Sequence, residues 1–91
     1  MGKEKKLFKS EERRSRSDVS AFVQQLADKI GEGRVILRQG QEELSLDLPH
    51  NLILEIQVEV EDKKRKGAQH SLEIEIKWFD SDAAGGPLEL G

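Results

Sequence analysis

Residues 52–61 read LILEIQVEVE and residues 71–79 read SLEIEIKWF. In the first stretch Leu52, Leu54, Ile56, Val58 and Val60 take every second position, with Ile53, Glu55, Gln57, Glu59 and Glu61 between them. In the second, Leu72, Ile74, Ile76 and Trp78 alternate with Glu73, Glu75, Lys77 and Phe79. Successive side chains of a strand point to opposite faces, so each stretch predicts a strand with one dry and one wet face. That pattern belongs to antiparallel sheets; parallel strands are buried on both sides and read as continuous apolar runs. The charged segment Asp62-Lys63-Lys64-Arg65-Lys66-Gly67 joins the two as a loop. If Val60 pairs with Leu72 and Val58 with Ile74, then Glu59 faces Glu73, Gln57 faces Glu75 and Glu55 faces Lys77. Like charges directly opposite cost a few tenths to about 1 kcal/mol.

Upstream, Pro49-His50-Asn51 reads as a turn, and before it the same period of two continues. Val35 and Leu37 alternate with Arg34, Ile36 and Arg38, and Leu44, Leu46 and Leu48 with Glu43, Ser45 and Asp47. A two-residue Gln39-Gly40 turn between them sets Val35 opposite Leu44 and Arg34 opposite Ser45, with the apolar residues on one face. Before Gly33 the period is 3.6. Val19, Phe22, Val23, Leu26, Ala27 and Ile30 form one stripe, which predicts an amphipathic helix over Ser17–Ile30. Ser17 and Ser15 are both candidate N-caps, the latter with Asp18 three residues on, and Gly31 is the expected left-handed C-terminal stop. Lys6-Leu7-Phe8-Lys9 is read as a short edge strand whose lysines discourage further pairing.

These elements predict an α+β fold in the order β-α-β-β-β-β. One amphipathic helix packs on the Leu/Ile/Val/Trp face of an antiparallel meander sheet, since a dry sheet face needs a cover. Ninety-one residues make one domain, expected over 5–80, with residues 1–4 and 81–91 as flexible ends. Hydrophobic residues are 35% of the chain, so the core is thin.

Charge is the unusual part of the composition. Charged residues are 36%, above the typical value of about 25%, yet the net charge is only −3. Residues 1–16 hold seven bases and three acids, residues 17–62 three bases and ten acids, and residues 63–66 are all basic. An acidic body thus carries two basic islands. With no cysteine, disulfides, thiolate nucleophiles and cysteine-based zinc sites are excluded. No apolar run approaches the ~18 residues of a membrane span, and the N-terminus lacks a signal-peptide core, so a cytoplasmic protein without membrane attachment is expected.

The order and spacing of several stretches resemble the amphi-Trp domain, a small prokaryotic family named for an amphipathic strand ending in Trp. The likeness is carried by Phe8-Lys9-Ser10, Ser15-Arg16, Leu26-Ala27-Asp28-Lys29-Ile30, Gly33, Val35 and Leu37, Gly40, Leu46, Leu48-Pro49, Leu54-Glu55 and Ser71 to Trp78. It covers roughly residues 5–79. The resemblance implies the fold and a cytoplasmic location, and it brings no activity, cofactor or site residue with it.

Chemistry-bearing constellations are sparse. His50 and His70 stand on separate loops without ligand-like spacing, so no metal is expected. None of the serines sits in a nucleophile elbow, and no phosphate-binding glycine loop occurs. The carboxylates lie on an open face where water screens them, which leaves little to tune a catalytic pKa. No catalytic residue, cofactor or small-molecule ligand is therefore expected. Two surfaces stand out instead. Glu55, Gln57, Glu59, Glu73, Glu75, Lys77 and Phe79 form a charged outer face suited to a protein partner or a second copy. Lys63, Lys64, Arg65 and Lys66, with the basic N-terminal arm, offer an anion or nucleic-acid contact. Phe22 and Trp78 are claimed by the apolar faces, so no aromatic platform for stacked bases remains. A non-catalytic interaction module is the first reading and a nucleic-acid-binding protein the alternative.

Overall fold

A computed structural model describes residues 2–84 and confirms the α+β class. The element order is α1 (Arg16–Glu32), β1 (Arg34–Gln39), β2 (Glu42–Asp47), β3 (Ile53–Asp62), a 3-10 turn (Lys64–Lys66), β4 (Ala68–Lys77) and α2 (Asp80–Ala84). The chain divides into two compact units, Met1–Leu48 and Pro49–Gly91.

In the first unit α1 starts at the Ser15 cap, whose hydroxyl accepts from the Asp18 N–H at 3.0 Å. The helix runs through Gly31 and stops at Gly33, not at Gly31 as expected. Gly33 holds the left-handed conformation (φ 90°), and its N–H donates to the Ile30 and Lys29 carbonyls at 3.0 and 3.1 Å. A Cβ would strain this conformation, which is why glycine ends the helix here. The Gly33 carbonyl in turn accepts from the Leu48 N–H at 2.8 Å, closing the base of the following hairpin.

That hairpin pairs Val35 with Leu46, Leu37 with Leu44, Arg34 with Asp47 and Arg38 with Glu43. The expected pairing of Val35 with Leu44 is two residues out of register, because the turn is Gly40-Gln41 and not Gln39-Gly40. Gly40 has φ 60° and stands first in the two-residue loop, the position glycine takes in a type II′ turn. The observed register also sets two ion pairs directly across the strands, Arg34–Asp47 at 2.8 Å and Arg38–Glu43 at 2.9 Å. A slip of two residues keeps every side chain on its predicted face. Helix α1 touches β1, and Val35 is the one buried residue among those described, at 5% exposure. Leu26, Ile30, Leu37, Leu44 and Leu46 around this centre are half-buried.

In the second unit β3 and β4 form a ten-residue antiparallel hairpin. Its register places Leu54 opposite Ile76, Ile56 opposite Ile74, Val58 opposite Leu72 and Val60 opposite His70. This also differs by two residues from the expected Val60–Leu72 pairing. The loop closes tightly: the Lys63 N–H donates to the Gly67 carbonyl at 2.8 Å, Lys64 takes φ 52° and Gly67 φ 80°. Strand β4 therefore starts at Ala68 and includes His70, which is a strand residue and not a loop residue.

Two expectations of the sheet are corrected. The four strands pair as two separate hairpins, β1-β2 and β3-β4, and not as one meander. No described residue of its own unit packs on the apolar face of β3-β4: Leu54, Ile56, Val58, Val60, Leu72 and Ile74 are between 58% and 69% exposed. Lys6–Lys9 forms no strand; its two apolar residues are flanked by lysines, which discourage pairing. Of the predicted flexible tail, 81–84 fall in α2 and 85–91 lie outside the described residues.

Candidate functional site

The outer face of β3-β4 is built from the odd-numbered residues of both strands. Glu55 stands directly opposite Glu75, Gln57 opposite Glu73, Glu59 opposite Ser71 and Ile53 opposite Lys77. The expected Glu59–Glu73, Gln57–Glu75 and Glu55–Lys77 pairings thus become diagonal neighbours. The Glu55–Glu75 apposition brings two like charges together, and Lys77 resolves it. Its Nζ lies 3.0 Å from Glu55 Oε1 and 3.4 Å from Glu75 Oε1. The hydrogen bond to Glu55, then the Glu55 charge and the contact with Glu75, raise the Lys77 pKa above its ordinary 10.5. One exposed lysine thereby holds two carboxylates of the same sign on neighbouring strands.

Toward the hairpin tip, Lys63 pairs with Glu61 at 3.2 Å, and the Gln57 side-chain amide donates to Glu59. Glu59 and Glu73 have no cation beside them among the described residues. The structure therefore brings Glu55, Gln57, Glu59, Glu73, Glu75 and Lys77 onto one face. Phe79 does not join them. It follows the end of β4, is 67% exposed, and its N–H donates to Asp82 Oδ2 at 2.9 Å at the start of α2.

At the tip, the Lys64 N–H donates to Asp62 Oδ1 at 3.1 Å and anchors the 3-10 turn. Lys64, Arg65 and Lys66 are exposed there, with no ion pair among the described residues. Of the four loop bases, Lys63 alone has an ion pair among the described residues.

The first unit holds an open groove of about 730 Å³. Phe8 and Ser10 of the N-terminal arm, Val19 and Phe22 of α1, and Ile36 and Arg38 of β1 line it. The arm is tied to β1 where the Gln39 amide donates to Ser10 Oγ at 3.4 Å. The two arginines that line the groove, Arg14 and Arg38, are already paired, Arg38 with Glu43 and Arg14 with Glu12. The readable signal was Ile36, an apolar residue on the wet phase of its strand, together with Phe8. His50 and His70 join no group of three or more candidate metal ligands among the described residues.

A helix beside one short hairpin, followed by a longer hairpin with a charged face and a basic tip, defines a small α+β protein. The chain belongs to the Amphi-Trp domain family, whose model matches residues 1–91. No curated protein and no solved structure matches the chain. No helix among the described residues is long and apolar enough to cross a membrane.

Proposed function

We propose that this chain is a non-catalytic interaction module that binds a protein partner through the outer face of β3-β4. The observation that supports it is the distribution of charge on that face. Lys77 satisfies Glu55 and Glu75, and Lys63 satisfies Glu61, while the diagonal neighbours Glu59 and Glu73 have no cation among the described residues. Two uncompensated carboxylates on neighbouring strands favour a partner that brings lysine or arginine, and such complementarity selects partners and speeds encounter. The prokaryotic cytoplasm is the setting proposed for this role, on the strength of the family resemblance. A pull-down from native lysate at near-physiological salt tests it with wild type and the Glu59→Arg/Glu73→Arg double variant side by side. A protein retained by the wild type and lost from the double variant supports the reading. An empty pull-down, or retention by both, contradicts it.

The exposed Lys64, Arg65 and Lys66 of the hairpin tip favour a second reading, in which the tip contacts nucleic-acid phosphates. Such contacts weaken steeply with salt. Binding to mixed DNA and RNA that falls as salt rises, and that Arg65→Glu weakens, supports this alternative; no binding at low ionic strength excludes it.

A further inference from the structure

The side of β3-β4 opposite the charged face has no explanation in the reading above. Leu54, Ile56, Val58, Val60, Leu72 and Ile74 are six of the eight side chains in four cross-strand rows, with Ile76 and His70 completing the outer two. The six are all more than half exposed. A two-stranded ribbon is marginal in water until its apolar face is packed against something. An exposed aliphatic patch of this extent marks an interaction surface.

We infer that this face is the dimer interface of the protein, packed against the same face of a second copy with the two hairpins running in opposite directions. The inference rests on the interaction-module reading and supplies a first partner. Three features choose a second copy over other occupants. The first is area: six side chains each offering on the order of 100 Å² give about 1,200 Å² across two copies, the lower end of stable specific interfaces. The second is self-complementarity, which a two-fold interface requires because the same patch is used twice. With the axis between the rows, Ile56 and Ile74 of one copy meet Val58 and Leu72 of the other, Leu54 meets Val60, and Ile76 meets the uncharged ring edge of His70 at each end of the patch. The third is charge. The basic tip, Lys63 to Lys66, lies at one end of the hairpin, and Asp80 and Asp82 of α2 follow directly after the other end. Opposed hairpins set each basic tip over the partner's acidic α2, whereas hairpins running the same way stack tip on tip.

The dimer turns both charged faces outward, so the proposed partner site is presented twice. Sedimentation equilibrium from low micromolar to several hundred micromolar protein tests the inference, with isotope-filtered NOEs between labelled and unlabelled wild-type copies. The expected result is a two-chain mass at the upper concentrations, with intermolecular NOEs from the Ile56 and Ile74 methyls to those of Val58 and Leu72. Val58→Asp is expected to weaken dimerisation at least ~100-fold by burying an unpaired charge, and Arg65→Glu by about tenfold. The wild-type NOEs need no variant, so misfolding of Val58→Asp leaves the test intact. A one-chain mass at every concentration overturns the inference, whether or not α1 of the same chain is found over the face. A dimer whose NOEs arise elsewhere overturns it as well. The Glu59→Arg/Glu73→Arg pair acts on the opposite face, so dimerisation and partner binding fail independently of each other.

Discussion

The two hairpins make opposite use of the same pattern. In Met1–Leu48, two strands of six residues pair, the first of them touches α1, and Val35 is buried. In Pro49–Gly91, strands of ten residues carry a longer and stricter alternation, yet none of their apolar side chains is buried. The better amphipathic ribbon has the poorer core. Alternation decides which side chains share a face, but what covers that face depends on the surface available to it. A short hairpin leaving Gly33 has its helix attached by one residue. A long hairpin with charge on its outer side has only its dry side to offer, and a second copy matches it.

The largest expected difference comes from placing the same residue in both hairpins. Val35→Asp puts a charge into the one closed core and is expected to cost about 3 kcal/mol of unfolding free energy at any protein concentration. Val58→Asp is expected to lower stability only at concentrations where wild type dimerises, and to stay within about 0.5 kcal/mol of wild type on dilution. Urea titrations at two protein concentrations read both. An equal, concentration-independent loss at the two sites breaks the contrast.

A smaller effect belongs to the first unit alone. Ser15→Ala removes the hydroxyl that accepts from the Asp18 N–H and is expected to cost about 1 kcal/mol, whereas Ser15→Asn stays near wild type. Thermal melts followed by helical circular dichroism measure this. A neutral Ser15→Ala shows that α1 does not depend on its cap.

The smallest effect lies on the outer face of the second unit. The Lys77 pKa is raised in the folded chain, so its contribution is complete below 10.5 and is lost as pH rises through the raised value. Lys77 is exposed and salt screens its pairs, so the slope is shallow. Wild type should lose slightly more stability than Lys77→Met above that pH. Parallel curves through the alkaline range show that the Glu55 and Glu75 contacts contribute nothing.

The same contrast explains what was legible in the sequence. Face assignments of Leu44, Leu46, Leu54, Ile56, Leu72 and Ile74 follow from the period of two and stand unchanged. Both registers were misplaced by two residues, because turn geometry sets register and the hydrophobic pattern cannot detect an even slip. Gly40 fits either central position of a tight turn on sequence alone; its φ of 60° as first residue decides the pairing. The Lys63–Gly67 loop sets the second register in the same way and makes Glu55 and Lys77 diagonal neighbours instead of a directly opposed pair. Gly31 looked like a helix stop because it is glycine, but the stop falls at Gly33, whose N–H has the Lys29 and Ile30 carbonyls within reach. The cover of the β3-β4 face was not legible at all, since its Leu, Ile and Val residues state only that they avoid water.

Hydrogen exchange of the strand amides, followed against protein concentration, measures directly whether the second hairpin depends on another copy. Protection of β3 and β4 should rise with concentration, while that of α1, β1 and β2 stays constant. Protection of β3 and β4 that is high and unchanged at the lowest concentration contradicts that dependence.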